Sequence, residues 1–270
     1  MDFSNYIDEQ ENYFKNGKTL PISKRKKLLK NLKKEILANE KEIFDVLKKD
    51  LRKSNYETYL TEIGILITEI DLFLKNIDNW AKPKKVKSSL LSFPSSDYVY
   101  SEPYGKILII SPWNYPFQLA ILPTMSAVAA GNTVVLKPSE HAPHTSKLIK
   151  DIIEKVFEKS HVLVIEGAAE TASKLLEYRW DYIFFTGSVR IGKIVAAAAA
   201  KTLTPITLEL GGKNPCIIDD TIDLKLAARR IVWGKFVNAG QTCIAPDFLI
   251  VKNNIKDKLI GELLSEIKRA

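Results

Sequence analysis

The sequence predicts an α/β fold: a doubly wound parallel sheet followed by the beginning of a second α/β unit. Three observations predict it. From Gly105 onward, short apolar runs alternate with helix-like segments, which is the signature of parallel βαβ units. Ile107 to Ile110 is a short apolar run and Thr133 to Leu136 is strand-like, as expected of strands in a covered parallel sheet. Residues 3 to 80, by contrast, read as helix throughout.

In the helical layer, residues 1–80, Leu20-Pro21 marks one break and Asn55 a second. Ile22, Leu28, Leu29, Leu32, Ile36 and Leu37 recur at helical spacing, as do Ile63, Leu66, Ile67, Ile70 and Phe73, with acidic and basic residues such as Glu62 alternating around the apolar stripes. This layer reads as packing, with no chemistry visible. Residues 81–104 are rich in breakers (Lys82-Pro83, Phe93-Pro94-Ser95-Ser96) around the strand-favouring Tyr98, Val99 and Tyr100, and read as a connector or arm.

The alternation then runs in order. Strand Ile107 to Ile110 precedes helix Pro116 to Ala130, and strand Thr133 to Leu136 precedes helix Ser146 to Phe157. Val162 to Ile165, helix Thr171 to Leu176, Tyr182 to Phe185 and helix Ile191 to Lys201 follow. Strand Pro205 to Leu208 ends the first unit, with Glu209 just past it. Cys216 to Ile218, helix Leu224 to Val237, strand Phe248 to Val251 and helix Ile255 to Lys268 begin the second.

Composition narrows the class. At 270 residues, 46% hydrophobic and 27% charged, the chain is ordinary globular protein. Two cysteines, Cys216 and Cys243, make no disulfide framework, and no metal-ligand spacing is present. The net charge of +8 is carried partly by Lys24-Arg25-Lys26-Lys27, the wet face of an amphipathic helix, and no nucleic-acid motif accompanies it. There is no signal-peptide pattern at the start and no apolar run near the roughly 18 residues a span needs, so the cytoplasm is the expected compartment.

Ligands on doubly wound sheets bind at the carboxyl ends of the strands, and four motifs fall there. The first is Ser111-Pro112-Trp113-Asn114-Tyr115-Pro116, whose Asn114 amide could donate to a developing oxyanion or simply close a turn. The second, Lys137-Pro138-Ser139-Glu140, offers groups for ribose hydroxyls, or reads as a charged loop. In the third, Gly187-Ser188-Val189-Arg190-Ile191-Gly192, a glycine turn opens a helix, an arrangement that favours phosphate. The fourth, Leu208-Glu209-Leu210-Gly211-Gly212, carries an acid that could act as a base if partial burial raised its pKa. Beyond them lies Asn238-Ala239-Gly240-Gln241-Thr242-Cys243, with the thiol on a loop after a helix. A lone cysteine is most simply a small apolar residue.

Taken in order, Phe185-Thr186-Gly187-Ser188, Leu208-Glu209-Leu210-Gly211-Gly212-Lys213-Asn214-Pro215 and Gly240-Gln241-Thr242-Cys243 resemble the aldehyde dehydrogenase superfamily, nearest its class 3 branch. The resemblance implies a Rossmann-like NAD-binding domain over 1–209, with 81–104 as an oligomerisation arm, and the first part of a catalytic domain over 210–270. It implies Cys243 as nucleophile, Glu209 as base and Asn114 as oxyanion donor. It further implies Trp113, Lys137, Glu140, Gly187, Ser188 and Gly192 at the cofactor. A free Glu140 carboxylate would favour NAD, with NADP the alternative. The substrate would be an aldehyde, oxidised to its acid through a thioester, and the full-length protein would be a homodimer.

Three rivals stand against this. A CoA-acylating relative would not need Glu209. A cysteine hydrolase would need a histidine near Cys243, whereas His141, His144 and His161 lie far upstream. The third rival is an inactive or degenerate fragment that at most binds nucleotide, since the family's Glu-x-Phe-Gly-Pro motif does not occur before Ala270.

Overall fold

The computed structural model describes residues 2–269. The chain forms two compact units, Met1–Glu209 and Leu210–Ala270.

The first unit opens with α1 (Ser4–Lys15), α2 (Ile22–Ala38), α3 (Glu40–Leu51), α4 (Asn55–Thr58), a π-helical turn at Tyr59–Ile63, and α5 (Gly64–Trp80). Both expected breaks occur: Pro21 precedes α2, and Ser54 caps α4 by accepting from the Glu57 N–H at 3.2 Å. A third break falls at Asn39, whose Nδ2 donates to the Glu35 carbonyl at 2.7 Å. Such side-chain bonding to nearby backbone competes with helix continuation. Of the apolar residues read at helical spacing, Leu29, Leu32, Ile36, Ile63, Leu66 and Ile70 are buried, whereas Leu37 is 46% exposed.

Residues 84–99 form a hairpin of β1 (Lys84–Val86) and antiparallel β2 (Asp97–Val99), joined through a short 3-10 turn. Then come β3 (Lys106–Ile110), α6 (Gln118–Ala130), β4 (Thr133–Lys137), α7 (Pro143–Val156), β5 (Val162–Val164), α8 (Ala169–Leu175), β6 (Tyr182–Gly187), α9 (Val189–Ala200) and β7 (Ile206–Leu210). The sheet order is β5-β4-β3-β6-β7, with β3 parallel to both β4 and β6, and β4 parallel to β5. The chain therefore walks outward from β3 in one direction, then returns to the other side of it. That reversal places a switch point between β3 and β6, where open α/β sheets hold ligands.

β3 and β4 are buried at every position, as their unbroken apolar runs require. Their side chains join those of α2, α3, α5, α6 and α7 in one core. α6 ends at Gly131, whose φ of 96° reverses the chain into β4.

The second unit comprises β8 (Asn214–Ile218), α10 (Leu224–Phe236), a 3-10 turn at Val237–Gly240, β9 (Pro246–Val251) and α11 (Lys256–Ile267). β8 and β9 pair in parallel, and Ile218, Ala227, Ala228, Ile255 and Leu259 form a small core with Cys216, Leu249 and Val251 packed on it. No helix among the described residues is long and apolar enough to cross a membrane.

Candidate active site

Three of the four expected motifs share one edge of the first unit's sheet, following β3, β4 and β6, which are neighbours in the order β4-β3-β6. Trp113 and Asn114 lie in the loop between β3 and α6. Lys137 is the last residue of β4 rather than part of the loop, and it is buried. Gly187 closes β6, and Ser188 caps α9 by accepting from the Ile191 N–H at 3.4 Å. Gly192 is buried in the first turn of that helix.

The chemistry of this edge suits an anionic dinucleotide. A β-carbon on Gly187 would come within 2.6 Å of the Phe185 ring, so only glycine keeps the turn clear. The N-terminus of α9 presents backbone N–H groups and the positive end of its dipole. Two buried hydroxyls flank the switch point, Ser111 at the end of β3 and Thr186 in β6, and neither has a hydrogen-bond partner. Unpaired buried hydroxyls are uncommon and point to a ligand or water that pairs them. Both lie in stretches singled out from the sequence, but a lone Ser or Thr carries no periodic signal that would mark its hydroxyl as buried.

Glu140 corrects an expectation. Its carboxylate is not free: the Lys137 ammonium pairs with it. Burial pushes the Glu140 carboxyl up, but the Lys137 hydrogen bond and charge overcome this and hold it below the usual range. The pair is close to neutral as a unit, which weakens the predicted repulsion of a 2′-phosphate.

Glu209 corrects a second. It lies inside β7 rather than past its end, and it is exposed, so the partial burial proposed to tune it is not found. His141 and His144 are exposed at the start of α7, as expected of capping or surface residues. His161 is buried, stacked on Tyr13 at 5.3 Å and edge-on to Phe157 at 5.8 Å.

In the second unit, Cys243 is exposed on the turn that follows α10. Three successive left-handed residues, Asn238 (φ 55°), Ala239 (φ 53°) and Gly240 (φ 78°), turn the chain out of the helix. A positive φ at Ala239 is costly for a residue with a β-carbon, and such strain collects at functional loops. Asn214 anchors the turn, its Nδ2 donating to the Cys243 carbonyl at 2.6 Å and the Ala245 carbonyl at 3.1 Å. The Cys243 thiol is thus exposed on a loop braced by Asn214, where functional side chains tend to be displayed.

The helical layer carries chemistry that sequence reasoning missed. Glu62 and Lys53 form an ion pair with both side chains essentially inaccessible. Burial pushes the Glu62 carboxyl up, against the pull of Lys53 and of the Phe117 and Gln118 amides. Asp50, in α3, similarly caps α7, accepting from the Thr145 N–H and hydroxyl at 2.8 Å each.

Comparison with known proteins defines the class. The chain matches the aldehyde dehydrogenase family model over residues 1–270 and belongs to that family. It is similar to 4,4'-diaponeurosporen-aldehyde dehydrogenase of Staphylococcus aureus, 46% identical over 256 residues, covering 95% of this chain and 56% of that one. It is also similar to a mouse protein named "Aldehyde dehydrogenase, dimeric NADP-preferring", 41% identical over 267 residues, covering 99% of this chain and 59% of that one. Further relatives carry family 3 names. Among solved structures, the substrate-bound state of Staphylococcus aureus AldH superposes with a TM-score of 0.97 at 43% identity, covering 100% of this chain and 59% of that chain. The chain spans about half the length of the curated relatives it matches.

Proposed function

We propose that this chain carries the nucleotide site and the reacting side chains of an NAD(P)-dependent aldehyde oxidation. The observation that carries the reading is the exposed Cys243 thiol on a braced turn, in a chain whose first unit also presents an anion-suited sheet edge.

The Cys243 thiolate attacks the aldehyde carbon and forms a C–S bond, leaving a thiohemiacetal oxyanion. The Asn114 side-chain amide donates to that oxygen as its charge develops. Lys137, with Glu140, and the Ser188 turn hold the nucleotide. When bound, the nucleotide supplies the hydride acceptor that takes the thiohemiacetal to a thioester. Glu209 then removes a proton from water, which attacks the thioester carbon and releases the carboxylic acid and the thiolate. Lys137 and Glu140 would offer groups to the ribose hydroxyls, and because Lys137 already pairs with Glu140, the acid would repel a 2′-phosphate only weakly, so the site would accept NAD or NADP.

A second reading, nucleotide binding without turnover, is favoured by the exposure of Glu209. One experiment separates the two. Calorimetry gives affinities for NAD and NADP, and rapid mixing with an aldehyde follows NADH formation. In the first reading, Cys243→Ser abolishes NADH formation, whereas Glu209→Gln gives about one NADH per site and then stalls. Turnover of Glu209→Gln at the parent rate removes Glu209 from the mechanism. Nucleotide binding without any NADH selects the second reading.

A further inference from the structure

The loop that carries Asn114 is held from below by two charged side chains far away in sequence. Lys53 follows α3, where Arg52 in the left-handed region (φ 58°) turns the chain inward. Glu62 lies on the π-helical turn Tyr59–Ile63. Such turns shift the phase of the side chains that follow and recur at functional sites. The two side chains meet in a salt bridge, 1% and 0% exposed. Neither partner spends itself on the other alone. Glu62 Oε2 accepts from the Phe117 N–H at 2.9 Å and the Gln118 N–H at 3.1 Å. Lys53 Nζ lies 4.4 Å from the centroid of the Tyr115 ring.

Three of the four residues that follow Asn114 are therefore gripped by this pair. Tyr115 is held through its ring, and Phe117 and Gln118 through their backbone at the start of α6. A buried ion pair is a poor way to add stability, because desolvation offsets its attraction. It is a good way to fix geometry, because an ionised carboxylate with three donors tolerates little displacement. Oxyanion stabilisation depends on a donor already in place when charge develops. We propose that Lys53 and Glu62 are positioning residues for Asn114, a buried clamp that sets where its amide points. The catalytic meaning of the clamp rests on the dehydrogenase reading above; the clamp itself is a structural statement about the loop.

The test uses the whole 270-residue chain with asparagine side-chain amides labelled with 15N, the Asn114 pair being assigned by its loss in Asn114→Asp. Two variants are compared with the parent: Glu62→Gln, and the double change Lys53→Met with Glu62→Leu. The double change removes both charges at once and keeps the volume, so that no lone charge is buried. Expected is a shift or broadening of the Asn114 amide pair in both variants, with Asn253 and Asn254 in the second unit unmoved. An unmoved Asn114 pair in a folded double variant overturns the clamp. Activity supplies the second arm: kcat for aldehyde oxidation falls by about ten- to a hundredfold, with KM for the nucleotide within about twofold. A moved amide with unchanged kcat overturns the catalytic role. A parent without turnover counts against the dehydrogenase reading, and the resonance then decides the clamp by itself.

Discussion

Among the described residues each unit contains one sheet with parallel strand pairs, yet the two bury very different shares of themselves. In the first unit, β3 and β4 are buried at every residue and lie inside a five-stranded sheet whose apolar side chains merge with the helical layer. In the second unit only one face of β8 and β9 is packed. Cys216, Ile218, Leu249 and Val251 turn toward α10 and α11, while Ile217, Phe248 and Ile250, one residue out of phase, are 75%, 47% and 50% exposed. Parallel strands are ordinarily covered on both faces. The same strand chemistry is thus fully satisfied in one unit and half satisfied in the other. The sheet end proposed for the nucleotide belongs to the first, and Cys243, the proposed nucleophile, to the second.

The sharpest way to break that comparison is to separate the units. A chain ending at Gly211 keeps all five strands of the first sheet, its helical layer and its merged core. It should unfold cooperatively in urea with the sigmoidal transition of a two-state domain. Residues 210–270 alone should show no cooperative transition, because a unit of that size is marginal and this one has only two strands, a small core and one open apolar sheet face. A cooperative transition in the short piece, or its loss in the long one, removes the distinction.

A smaller effect is confined to the first unit and comes from His161. Burial holds its imidazole down from an ordinary 6.5 to about 4, and the nearby Lys24 charge pushes in the same direction. Between those values the unfolded chain binds a proton that the folded chain refuses. Stability is therefore complete above about pH 6.5 and is lost as pH falls toward 4, by about 3 kcal/mol in all. Urea midpoints measured at pH 7 and pH 4.5 should show the fall in the parent, and His161→Phe should flatten it. An identical fall in that variant assigns it to other groups.

The residues that the sequence made legible and those it hid differ in a physical way. Apolar alternation announced β3, β4, β6 and the helices between them, because strand and helix periods are local properties of the chain. The glycine turn at Gly187 and Ser188 was legible for the same reason. Lys53, Glu62 and His161 were not. On an amphipathic helix, Glu62 looks like a wet-face acid, and only the approach of Lys53 and the start of α6 shows it to be buried. The pairing of Glu140 with Lys137 could have been suspected from their spacing of three residues, but nothing local says that Lys137 is buried while Glu140 reaches back to it. Burial of a charge is decided by partners far along the chain. Likewise the exposure of Glu209 depends on what covers the end of β7, which its sequence neighbours do not determine.

The smallest expected effect on stability tests the open face of β8 directly. Ile217 contributes nothing to the packed side of the second unit, since its neighbours Cys216 and Ile218 take that role. Replacing it should therefore change stability by no more than about 0.5 kcal/mol, as surface substitutions do. It should change solubility far more. β8 and β9 make a two-stranded sheet, so each has an unpaired edge beside an apolar face, the combination that lets sheets add to one another. Ile217→Lys places a charge on that face and should raise the concentration at which light scattering begins, with the thermal midpoint unchanged. Ile218→Lys is the control: at 5% exposure it buries an unpaired ammonium and should unfold the second unit. If Ile217→Lys lowers the midpoint as Ile218→Lys does, the face is covered in solution and the two sheets are more alike than their burial says.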